Sequence, residues 1–172
     1  GIAQTGLILH QKQARTLCDL GHGAKIAPLY FCRMRFTQEQ AERANMLTRN
    51  TLVEHLGITF QVDEHGHFTG TMPVDQRTKQ PMGLLHGGAT AALAESLGSM
   101  GSALLVDLER QGVVGTSLTV NHLKGVRSGS VLATGELLHH GRSTHVWDIH
   151  VTNAEGLLCA VCRLTNMIID RA

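Results

Sequence analysis

The chain has 172 residues, of which 42% are hydrophobic, 17% charged and 3% aromatic, enough for one domain whose core is filled mainly by aliphatic and small side chains, and too little for two comfortable ones. Fifteen Lys and Arg against fourteen Asp and Glu leave a formal charge of +1, which excludes a broad field for nucleic acid or an acidic membrane, so any anionic ligand must be held by local groups. No apolar run approaches the roughly 20 residues of a membrane span, and the first residues lack the basic-then-apolar pattern of an export signal, so the expected setting is the cytoplasm.

Residues 1–33 carry scattered Gly, His and Cys without a sustained period, and a more regular pattern opens at Met34. The division this predicts is an N-terminal extension over 1–33, outside the catalytic unit, and a domain over 34–172. Thr37 with Gln40 three residues later forms a capping-box signature, and good helix formers follow to Arg49. Residues 58–62 and 67–74 read as strands joined at Asp63, Glu64, His65 and Gly66 in a hairpin. A loop with Asp75, Gln80, Pro81 and Gly83 then leads to Leu84, Leu85, His86, Gly87 and Gly88, after which 89–106 has helical composition. Strand-like runs follow at 113–123, 129–138, 144–152 and, beyond an Asn153 to Gly156 turn, 157–169. One helix against one antiparallel sheet is the α+β layer this order predicts.

In the long helix, Leu93, Leu97, Met100 and Leu104 recur at steps of four, three and four, an apolar stripe suited to burial. Gly98 and Gly101 each cost about 1 kcal/mol relative to Ala in a helix interior, which predicts a close backbone approach there. Glu95 is the only ionisable residue between 89 and 106. Such a carboxylate is costly to bury unpaired, and the same surroundings make it useful as a base or nucleophile; the plainer alternatives are an ion pair with an arginine or exposure at an edge. Gly87 and Gly88 place unshielded amides at the helix start, where the first N–H groups lack intrahelical acceptors and the dipole favours negative charge. Ser99, one turn beyond Glu95, shares its face and could hold a water or the carboxylate.

The cysteines and remaining histidines suggest no metal. Cys159 and Cys162 stand at an odd separation in a strand-like run, which points them to opposite faces. Cys18 and Cys32 have no ligand spacing around them, nor do His10, His22, His55, His65 and His67 share one.

The run from Met72 to Ser99, MPVDQRTKQPMGLLHGGATAALAESLGS, resembles the hotdog-fold acyl-CoA thioesterases of the phenylacetate-pathway, PaaI-like type. Within that family it looks nearest to the bacterial 1,4-dihydroxy-2-naphthoyl-CoA hydrolases and their relatives acting on 4-hydroxybenzoyl-CoA. The likeness rests on HGG with a Glu eight residues after Gly87 and a Gln six residues before His86, and continues through VVGTSLTVNH, GRSTHVW and CRLT. It covers 50–169 and leaves out the first 33 residues.

The resemblance implies a hotdog fold: a curved antiparallel β-sheet wrapped around one long central α-helix. It implies a homodimer with a continuous sheet, a homotetramer as a dimer of dimers, and active sites at the dimer interface. The implied reaction is hydrolysis of an acyl-CoA thioester, with coenzyme A part of the substrate and no further cofactor. Glu95 matches the catalytic carboxylate, as nucleophile or general base. Gln80 and His86 match polar groups around the thioester, the Gly87 amide the oxyanion donor, and Ser99 a hydroxyl assisting Glu95. CoA contacts fall on Gly115, on His122, Leu123, Lys124 and Gly125, and on His139, His140, Gly141, Arg142, Ser143 and Thr144. Lys124, Arg142 and Arg127 offer positive charge for its phosphates. Lys124 and Gly125 stand where Arg and Ser are usual, and Arg142 and Ser143 are in exchanged order.

The chemistry agrees: thioester hydrolysis needs an activated water or an attacking carboxylate and a stabilised oxyanion, and a thiolate leaves with little acid help. Two other hotdog activities remain open, an acyl-thioester hydratase or dehydratase and a non-catalytic acyl-CoA-binding module. The apolar Leu52, Leu56, Met82 and Leu85 suit either an aromatic ring or a medium aliphatic chain.

Overall fold

The computed structural model describes residues 34–171. The extension expected over 1–33, with Cys18, Cys32, His10 and His22, lies outside the described residues. Helix α1, Gln38–Leu47, starts as its capping box predicts: the Thr37 hydroxyl accepts from the Gln40 amide and the Gln40 side chain accepts from the Thr37 amide. A second, short helix that the sequence pattern did not foresee, α2 at Leu52–His55, is capped by Thr51. Strands β1, Thr59–Val62, and β2, Phe68–Pro73, form the expected hairpin.

The long helix α3 spans Gly87–Ala103 rather than 89–106. It begins early because His86 acts as its N-cap, and a histidine is not a residue that capping statistics flag. Four strands follow: β3, Gln111–His122; β4, Ser130–His140; β5, Thr144–Asn153; and β6, Leu158–Asp170. The six form one antiparallel sheet in the order β1-β2-β4-β5-β6-β3. Among the described residues β3 is therefore an edge strand with β6 as its only neighbour.

Alternation sets which side chains meet the helix. In β5 the residues His145, Trp147, Ile149 and Val151 are buried while Val146 and Asp148 are only half so, the period of two of a sheet with one covered face. On α3 the buried face is Thr90, Leu93, Ala94, Leu97, Gly98, Gly101 and Ser102. The leucine stripe is thus turned toward the glycines, and Met100 and Leu104 are only partly buried against the core. The reason is Trp147: a Cβ added to Gly101 would lie 2.6 Å from its ring, and one added to Gly98 would lie 2.6 Å from Leu164. Close approach explains both helix glycines. Phe36 joins the core beside Phe68 and Trp147, with ring centroids 5.3 and 6.0 Å apart.

One phase reading is corrected. Cys159 and Cys162 are both buried, because the β5–β6 register skips Cys159 between the pairs Val151–Ala160 and Thr152–Leu158. A bulge resets the alternation. Both are free thiols, and burial pushes the Cys162 thiol up to about 11.

Candidate active site

The loop before α3 is held on both sides. The Leu85 amide donates to the Val126 carbonyl (2.7 Å) and the His86 amide to the Thr78 carbonyl (2.8 Å). His86 then takes up three of the first four helical N–H groups: its Nδ1 accepts from Gly88 (2.8 Å), and its carbonyl from Ala89 (3.0 Å) and Thr90 (3.1 Å). Among the described residues the Gly87 N–H alone of that turn finds no acceptor. A donor at the positive end of a helix, without a partner, is what an oxyanion requires. Accepting at Nδ1 fixes the neutral His86 ring as the tautomer protonated on Nε2.

Gly87 is walled by a second histidine. A Cβ at position 87 would lie 2.9 Å from His122 Nε2, so only glycine lets this ring lie against the helix start. A groove of about 330 Å³ opens here, lined among others by Gln80, Leu84, Leu85, Gly87, Thr90, His122, Leu123, Lys124 and Gly125. The Gln80 side-chain oxygen accepts from the Met82 amide, which leaves the NH₂ group as what Gln80 can offer a ligand. Arg127, next in the chain to the groove residue Val126, reaches the Met82 carbonyl at 3.4 Å. Of the apolar residues expected to line an acyl pocket, Leu85 does so here. Leu56 instead belongs to the core, and Leu52 and Met82 are exposed.

Glu95 lies elsewhere. It is exposed, and among the described residues it makes no ion pair. Its Oε1 lies against β3, where a Cβ on Gly115 would come within 2.7 Å of it. The strand bulges at this point, the register shifting between Gly115 and Ser117, and the Thr116 hydroxyl of the bulge donates to the Thr165 carbonyl (3.0 Å). Gly115, expected among the CoA contacts, is placed by the structure beside the carboxylate. Ser99, on the same helix face, donates to Oδ1 of Asn166 at 3.2 Å. Asn166 was not singled out in the sequence. It is fully buried on β6, in the inward phase shared with Cys162, Leu164 and Ile168, and a polar residue in that phase is the signal that marks it.

Gly87 and Glu95 thus stand apart. Eight residues at 1.5 Å each separate them by about 12 Å along α3, and the seven residues from Gly115 to His122 span roughly 20 Å of β3. One thioester carbonyl cannot touch both within a single chain.

The third expected group, residues 139–144, is the tip between β4 and β5, closed by the Gly141 amide donating to the Thr144 carbonyl (2.9 Å). It is apart from the groove of Gly87 but in line with Gly115 across β6, since Thr144 pairs with Met167 and Met167 with Val114. Arg142 and Ser143 are exposed there. Behind them His145 is 1% exposed, with its ring 4.6 Å from that of His140 and, among the described residues, no partner for its Nδ1. Burial, with smaller contributions from His140 and His139 and against a backbone hydrogen bond to Gly141, lowers His145 to about 4. Among the described residues no three His, Cys, Asp or Glu side chains are grouped to hold a metal ion, and no helix is long and apolar enough to cross a membrane.

Comparison with known proteins agrees on the family. The profile of the Thioesterase superfamily matches residues 82–160. The crystal structure of a mutant thioesterase from Pseudomonas aeruginosa is 44% identical, with 76% of this chain and 94% of that one covered and a TM-score of 0.73. A thioesterase from Haemophilus influenzae is 42% identical, covering 80% of this chain and 94% of its own, with a TM-score of 0.72. The proofreading thioesterase EntH of Klebsiella pneumoniae is 47% identical over 125 residues, 73% of this chain and 90% of that protein.

Proposed function

The chain belongs to the Thioesterase superfamily and has its hotdog fold, and on that premise we propose that it hydrolyses an acyl-CoA thioester to the free acid and CoA in sites completed by two copies of the chain. The observation that carries this is the separation, on one helix, of an exposed carboxylate, Glu95, from an amide, Gly87, neither of which has a partner among the described residues. Two copies joined along the β3 edge would bring the carboxylate of one to the amide of the other. That edge has its outer hydrogen-bonding groups unoccupied by any described strand, a template for pairing.

In such a site the thioester carbonyl accepts from the Gly87 N–H, with His86 Nε2–H and the Gln80 NH₂ as neighbouring donors. Water attacks the carbonyl carbon while Glu95 takes its proton, the oxyanion collapses, and the C–S bond breaks to release CoA thiolate, which then gains a proton. The alternative is direct attack by Glu95 to give a mixed anhydride that water opens. Either route needs Glu95 ionised. Lys124 on the groove, Arg127 next to the groove residue Val126 and Arg142 at the β4–β5 tip are the cations proposed for the CoA phosphates. The apolar Leu84, Leu85 and Val126 of the groove suit an aromatic or medium-chain acyl group, including the hydroxyaromatic thioesters of the resembling subfamilies.

The test is thiol release from a panel of aromatic, hydroxyaromatic and straight-chain acyl-CoAs by the full chain and by Glu95→Ala. Turnover should fall at least about a hundredfold in a folded variant, and near-normal turnover would reject the assignment. Loss of enoyl absorbance without thiol would support a hydratase, and tight binding without turnover a sensing module. Residues 1–33 are proposed to lie outside the catalytic unit, so a chain beginning at Met34 should retain activity.

A further inference from the structure

A buried polar chain connects the interior to the helix face that carries Glu95. Trp147 Nε1 donates to Ser102 Oγ (2.8 Å), Asn166 Nδ2 donates to the same oxygen (3.0 Å) and to the Gly98 carbonyl (3.1 Å), and Ser99 Oγ donates to Asn166 Oδ1 (3.2 Å). Asn166, Ser102 and Trp147 are all fully buried. The direction of these bonds is not free. A backbone carbonyl only accepts, so the NH₂ of Asn166 must face Gly98 and its oxygen must face Ser99. That oxygen also only accepts, so the Ser99 proton is committed to Asn166.

We propose that Asn166 is a positioning residue that fixes the Ser99 hydroxyl as a hydrogen-bond acceptor for the attacking water. With its proton turned inward, Ser99 presents only lone pairs on the face it shares with Glu95 one turn away. A water there donates one hydrogen to Ser99 and the other to Glu95, which leaves its own lone pair for the thioester carbon. Were Asn166 absent, the hydroxyl could rotate and donate to Glu95 instead, which would occupy the base and release the water. The proton taken in the reaction still goes to Glu95; Ser99 gains and loses none.

This inference rests on the reading of Glu95 as the catalytic carboxylate, and the experiment separates the two. Steady-state thiol release by the full chain is measured for Ser99→Ala, Asn166→Ala, their double variant and Asn166→Asp, with melting temperatures alongside. Ser99→Ala and Asn166→Ala should each lower kcat about tenfold, part of a general-base contribution, with KM within about twofold. The double variant should lose no more than the worse single, as for two residues acting as a unit. In Asn166→Asp a protonated carboxyl can make both bonds, carbonyl to Ser99 and O–H to Gly98, whereas an ionised one cannot donate to Gly98. In either form a carboxyl oxygen still accepts from Ser99, so kcat of Asn166→Asp should stay within about threefold of the parent where Asn166→Ala loses about tenfold. Losses that multiply in the double variant, or a folded Asn166→Ala with normal kcat, would overturn the proposal. If Asn166→Ala does not fold, Asn166→Asp decides: a folded Asn166→Asp that loses as much kcat as Ser99→Ala would overturn the proposal. Activity surviving Glu95→Gln would instead overturn the site itself.

Discussion

Gly115 leaves no room for a side chain because the Glu95 carboxylate rests against it: a methyl at that position would sit 2.7 Å from Oε1. The obstructing atom is the far end of a flexible side chain, so Gly115→Ala should fold, with a melting temperature within a few degrees of the parent. Glu95 must swing away to admit the methyl. The expected result is a kcat lowered at least about tenfold, since displacement of a positioned base of this order is costly, measured by thiol release.

His86 combines a cap and a place beside the proposed oxyanion donor, and two substitutions can separate them. His86→Ala removes the acceptor for the Gly88 amide and should cost about 1 kcal/mol of stability. Asn is a good N-cap, so His86→Asn should restore most of that in denaturant unfolding. It should not restore kcat, because the Nε2–H donor is still gone.

Helix α3 depends on its glycines where Trp147 and Leu164 lean in. Alanine at 101 gains about 1 kcal/mol of helix propensity but drives a methyl into the indole ring, and overpacking of a filled core costs about 1–3 kcal/mol. Gly101→Ala should therefore be net destabilising by thermal or urea unfolding. Gly98→Ala meets a leucine methyl at the same 2.6 Å, a softer obstacle, and should be the milder of the two.

His145 predicts an acid-sensitive step. Its folded-state value is depressed from 6.5 to about 4, so below pH 6.5 the unfolded chain takes a proton that the folded chain refuses. Stability from this group falls as pH drops from 6.5 to about 4 and changes no further below. His145→Phe keeps an aromatic ring, somewhat larger, at this buried position and removes the titrating group. Its melting temperature should vary less with pH across that window, read by circular dichroism at matched ionic strength.

Most of the architecture was legible because its signals are periodic. The hairpin around Asp63 to Gly66, the four later strands and the helix with Glu95 as its sole charge all follow from alternation, turn residues and composition. Features that break a period were not. α2 is four residues long, too short to show a repeat; the bulge at Cys159 resets an alternation that sequence counts straight through; His86 caps without belonging to the usual capping residues. Asn166 was missed for a related reason, since a polar side chain in an inward phase looks like noise until its partners on α3 are seen. The separation of Gly87 from Glu95 was half visible: the eight-residue interval was in the sequence, but only the position of Gly115 at the sheet edge shows which way the carboxylate is turned.

That interval on α3 has a genetic consequence. In the proposed dimer, a pair made from one subunit bearing Glu95→Gln and another bearing Gln80→Ala would contain one position where an intact amide pocket meets an intact acid, and a second that inherits both lesions. Two separately crippled preparations, allowed to exchange subunits, should regain activity that neither has alone.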